Sequence, residues 1–122
     1  MKKIVIEYDE NDPKLYSKTF DKENLNWTDA EQFTGYNWMF LRHQQNWAND
    51  ILRARGHLFL NEIYTMLGLP RTEIGAVVGW VYKDPNSYVD FGCWEEEGLA
   101  LKSIELNFNV DGPIVDLIEK LK

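Results

Sequence analysis

Apolar and polar positions along the chain change period several times, and each change marks an element. Lys3 to Tyr8 is short and rich in β-branched residues, which predicts a strand. Asp9 to Trp27 is polar and carries the turn signal Asn11-Asp12-Pro13, with Leu15 to Phe20 as a second short strand inside it. The period then becomes helical: Phe33, Phe40, Leu41, Trp47, Ala48, Ile51 and Leu52 recur at threes and fours, and Arg42, Asn46, Asn49, Asp50 and Arg53 take the other face. Thr28-Asp29-Ala30-Glu31 has the form of a capping box and predicts the start of this helix. Arg53 and Arg55 suit the negative end of its dipole, and Gly56 is placed to be its left-handed stop. Gly35 is the weak point, where the first turn or two would break away.

His57-Leu58-Phe59 reads as a brief extended link. A second helix fits Leu60 to Leu67, burying Leu60, Ile63, Tyr64 and Leu67, with Gly68 and Pro70 to end it. Thr72 to Val77 adds one more turn, capped by Thr72. Val78 to Tyr82, a turn at Asp84-Pro85-Asn86-Ser87, and Tyr88 to Trp94 read as a hairpin. Lys102 to Asn109 alternates Ile104, Leu106 and Phe108 with polar residues, as a strand with one buried face does. Asp111-Gly112-Pro113 then opens a final helix, with Asp111 as cap, that buries Ile114, Leu117, Ile118 and Leu121. The expected fold is α+β over residues 1–122 as a single domain: a small antiparallel sheet, built as a three-stranded meander plus an N-terminal strand, packed against one long and two shorter helices.

Composition supports a packed core. The 122 residues are 44% hydrophobic and 14% aromatic, enough to fill one core without disulfides or a structural metal. Thirteen basic and 20 acidic residues give a net charge of −7, which opposes binding to duplex nucleic acid or an anionic membrane surface. The acids Glu7, Asp9, Glu10, Asp12, Asp21, Glu23, Asp29 and Glu31 crowd the N-terminal quarter, where a solvated surface is the ordinary reading and an acidic contact face the sharper one. Cys93 is the single cysteine, which fits a reducing compartment. MKKIVIEY is far shorter than a signal-peptide core or a spanning helix, so a mature, soluble, cytoplasmic chain with no membrane segment is expected.

Few residues offer chemistry. His43 sits at the polar edge of the long helix and His57 just past its stop, neither with a partner in sequence that would make it a base or ligand. Cys93, between Gly92 and Trp94, reads as a packed side chain rather than a nucleophile. Asp84 to Glu95 imitates the ligand spacing of a calcium loop but has Val89 where the loop needs glycine, and the glycines at 68, 75 and 79 lack a dinucleotide spacing. No catalytic residue, metal site or cofactor is therefore expected. The aromatics point elsewhere, because exposed Trp and Tyr favour protein contacts. Trp38 lies off the main apolar stripe beside Arg42, where it either faces outward or is buried in the core; Trp38, Arg42, Asp9, Glu10 and Asp12 are the candidate contact residues.

Several segments also resemble a known family. NWANDILRARGH, FLNEIYTMLGLPRT, GWVY, VDFG and FNVDGPI, across roughly residues 45–114, are similar in order and spacing to an uncharacterised domain of unknown function encoded by tailed phages and prophages of Gram-positive bacteria. The resemblance implies a phage origin and supplies no activity, substrate or catalytic residue. The leading expectation is a non-enzymatic protein acting through protein contacts, on a host or defence factor, with mimicry of nucleic acid by an acidic face as a narrower form. The alternatives are a virion or assembly component, marked by homo-oligomerisation, and an enzyme whose site would be a polar pocket around His43, His57, Cys93 or Asp90.

Overall fold

The computed structural model describes residues 12, 14–29 and 35–120. The strand predicted at Lys3–Tyr8, the end of the predicted capping box, Phe33 and Leu121 lie outside them. The elements run β1 (Ser17–Asp21), α1 (Gly35–Arg55), β2 (His57–Phe59), α2 (Leu60–Leu67), β3 (Val78–Val81), β4 (Ser103–Asn107), β5 (Gly112–Pro113) and α3 (Val115–Lys120). This is the α+β class expected, with one long and two shorter helices and small antiparallel sheets.

The local signals act as read. Gly56 and Gly68 end α1 and α2 in the left-handed region, at φ +92 and +73, where glycine carries no Cβ penalty. α2 keeps its predicted bounds and buries Leu60, Ile63, Tyr64 and Leu67. Its Glu62 carboxylate reaches back to the Phe59 N–H at 2.8 Å, supplying one half of a capping box. The turn predicted at Thr72 to Val77 is a shorter 3-10 turn, Ile74–Ala76, with Glu73 at its N-cap position, and the Thr72 hydroxyl accepts from the Gly75 N–H at 3.0 Å. In β4, Ile104 and Leu106 point inward while Ser103, Glu105 and Asn107 are exposed.

The strand order departs from a meander. β1 pairs antiparallel with β4, Phe20 opposite Ile104, and a separate sheet has the order β2-β3-β5. His57–Phe59 is thus an edge strand rather than a link, with Leu58 opposite Trp80. Its outer groups are occupied: Arg55 donates to the His57 carbonyl at 3.0 Å, Glu62 takes the Phe59 N–H, and the two side chains pair at 2.6 Å. That blunts an edge that would otherwise present open backbone groups.

The predicted hairpin partner of β3, Tyr88–Trp94, is not a strand, because the other edge of β3 is taken by residues 111–113. Asp111 donates its N–H to the Gly79 carbonyl at 2.8 Å and accepts from the Val81 N–H at 2.9 Å. Asp111 therefore serves the sheet instead of capping the last helix, and α3 starts later, at Val115, with Asp116 in its first turn. Ile114 is fully buried and Leu117 and Ile118 half-buried.

Carboxamides hold the loops. Asn37 bonds both the N–H and the C=O of Thr28 at 2.8 Å each, and Asn61 does the same for Thr72 at 2.9 and 2.8 Å. Asn49 accepts from the Val89 N–H at 2.7 Å and donates to its carbonyl at 3.0 Å. Each side-chain amide stands in for a neighbouring strand's peptide group, so buried loop backbone is satisfied without a ladder. Gln45 takes the Phe91 N–H at 2.8 Å, and Asn109 takes the Asp90 N–H at 2.7 Å and the Trp80 indole N–H at 2.9 Å. Gly92 turns the 88–94 segment at φ +67, with its α-carbon against the Asn107 carbonyl. The core beneath is aromatic: Tyr64, Phe108 and Phe91 meet edge to face at 5.6 and 5.4 Å, beside the fully enclosed Trp80.

Candidate functional site

α1 has two unlike faces. Trp38, Leu41, Gln45, Ala48 and Leu52, at helical spacing, are buried. Tyr36, Met39, His43 and Trp47 lie on the opposite side, with Met39 53% and Trp47 57% exposed. Two expectations are corrected here. Trp38, a candidate contact residue, is 4% exposed because it falls in line with Leu41, Gln45 and Ala48; Trp47, expected in the core, falls out of that line. Phe40 is half-buried and stacks on Phe20 at 5.6 Å.

The other candidate contact residues lie apart. The Arg42 guanidinium sits 3.7 Å from the centre of the Trp94 ring and pairs with Glu97 at 2.8 Å, with both charged side chains 40% exposed. Trp94 in turn donates its indole N–H to Gln45 at 2.8 Å, so Arg42 is folded onto the turn Trp94–Glu96 rather than held out to solvent. Asp12 is exposed and accepts from the Lys14 N–H at 2.9 Å, while Asp9 and Glu10 lie outside the described residues. Sequence reasoning did not single out Met39, and it read His43 only as a possible base or ligand. The signal was available in the spacing of 36, 39, 43 and 47, but counting Trp47 with the core concealed it.

A cleft of about 430 Å³ lies at the N-terminal end of α1, lined by Trp27–Asp29, Asn37, Trp38, Leu99–Lys102 and Ile104. Two successive helix residues hold its walls: Asn37 clamps Thr28, and the Trp38 indole N–H donates to the Leu99 carbonyl at 2.9 Å.

The residues with chemical potential are dispersed. Cys93 is buried, and burial first, then the Asp90 carboxylate, push its thiol up to about 12, far from a reactive thiolate. His43 is exposed on α1, and His57 packs edge-on against Phe59 at 5.8 Å. Asp84 and Asp90 each bond the N–H two residues on, Asn86 at 2.7 Å and Gly92 at 2.8 Å, so both carboxylates shape their own turns. Among the described residues, no three His, Cys, Asp or Glu side chains gather as a metal site, and no helix is long and apolar enough to cross a membrane.

No curated protein and no solved structure matches the chain. A family match does, and it extends well beyond the motifs of residues 45–114: over residues 1–118 the chain belongs to the family described as "Family of unknown function (DUF6353)".

Proposed function

We propose that the protein is non-enzymatic and works through protein–protein contacts, with the outward face of α1 as its contact surface. One observation carries this reading. Between Gly35 and Trp47 the helix offers Met39 and Trp47 more than half exposed, and Arg42, the one Asp, Glu, Lys or Arg in that stretch, is tied to Glu97 and Trp94 on its flank. Large apolar side chains on the outward face of a helix already packed on its other side are costly to leave in water, and Trp and Met are favoured at the centres of protein interfaces. The buried thiol of Cys93 also supports a non-enzymatic role. The resemblance of the 45–114 segments to tailed-phage and prophage proteins supports a phage origin and a host or defence factor as partner.

The test is affinity capture from an infected or lysogenic host, comparing the natural chain with a Met39→Asp, Trp47→Asp variant. Both positions are more than half exposed, so the variant should keep its far-UV spectrum, with a melting temperature lowered only by the helix propensity and partial burial that the two aspartates lose. A host protein retained by the natural chain and lost by the variant is the expected result. Capture of nothing, together with the chain's presence in purified virions, refutes the reading and favours a virion or assembly component.

A further inference from the structure

We draw no further inference here: the strongest candidate, the cleft of about 430 Å³ between Thr28, Trp38 and Leu101 at the N-terminal end of α1, carries nothing, because nothing in the structure shows what covers it.

Discussion

Asn49→Ala separates the two accounts of residues 88–94, a β-hairpin strand or a loop pinned by carboxamides. In the structure the Asn49 side chain satisfies both backbone groups of Val89, which is fully buried, and also donates to the Gln45 carbonyl at 3.0 Å. Truncation leaves the Val89 N–H and C=O without partners. A buried polar group left unsatisfied costs about 1–3 kcal/mol. Water entering the vacated space from the half-exposed side of Asn49 offsets part of the cost for two groups, and alanine returns up to ~0.7 kcal/mol of helix propensity. The expected net loss is about 2–3 kcal/mol, a large share of the stability of a small domain, roughly 5–15 kcal/mol.

Urea denaturation followed by tryptophan fluorescence measures that loss, provided the slope with denaturant stays unchanged. Asn46→Ala, exposed on the same helix, is the control and should lose nothing, gaining at most the same ~0.7 kcal/mol of helix propensity. Hydrogen exchange at the Val89 amide should accelerate more than at neighbouring α1 amides. Asn49→Asp adds a sign. It keeps an acceptor for the Val89 N–H but turns carboxylate oxygens toward two carbonyls, so the folded state favours the protonated acid. The deficit is then full at neutral pH and shrinks as pH falls through the carboxylate range, where an O–H donor returns. A loss below about 0.5 kcal/mol with the Val89 amide still protected would refute the clamp and restore the hairpin.

The other predictions test separate parts of the fold. Trp80→Ala should cost about 3–5 kcal/mol in the same denaturation assay, since the ring is 1% exposed and its indole N–H bonds Asn109; a change near zero would mean the β2-β3-β5 sheet is not the core. Gly56→Ala adds a Cβ that meets nothing within 4 Å, so only backbone strain remains, about 1 kcal/mol. Gly92→Ala combines the same strain with a clash on the Asn107 carbonyl and should lower the denaturation midpoint further; equal effects would mean that the close approach is absent. Cys93 should resist Ellman's reagent in the native state and react once urea unfolds the chain. Its native thiol keeps a proton that the unfolded chain gives up near pH 9, and Tyr64, pushed up to about 12 mainly by burial, does the same from about pH 10. The contribution of these two groups to stability is therefore intact below pH 9 and is lost as pH rises toward about 12; Cys93→Ala should flatten the first part of that decline in a pH series of urea midpoints.

What the sequence discloses depends on how far apart the interacting residues lie. α2 is legible to its ends because the spacing of Leu60, Ile63, Tyr64 and Leu67 and the stop at Gly68 and Pro70 act within a few residues, and β4 because alternation is a local pattern. The 88–94 segment looks like a strand by the same rules. Its partners, Asn49 and Gln45, are 40 and 46 residues away, and a carboxamide inside a helical period is indistinguishable from a solvated side chain. Asp111 misleads for a related reason: its form beside Gly112-Pro113 is that of a cap, yet its carboxylate is spent on the Val81 N–H, 30 residues back.

The outward face of α1, proposed as the contact surface, adds a question of phase. α1 carries Tyr36, Trp38, Phe40 and Trp47 in four turns, so apolar positions occur on both sides and a count of threes and fours fits more than one rotation of the helix. Bulk alone favours placing Trp47 inside with Ala48 and Ile51. What fixes the rotation is the line 38, 41, 45, 48 and 52, whose polar member, Gln45, is buried because it satisfies the Phe91 N–H and the Trp94 indole at once. A buried amide with two distant partners thus belongs to the face that leaves Trp47, and not Trp38, in solvent. The choice of Trp47 over Trp38 as contact residue therefore rests on the same network that holds the 88–97 segment in place. Gln45→Leu tests that dependence: the two N–H groups lose their acceptor while the helix keeps its apolar face, so the segment should loosen and Trp94 become more accessible to acrylamide quenching. Unchanged quenching would mean that packing alone sets the rotation of α1.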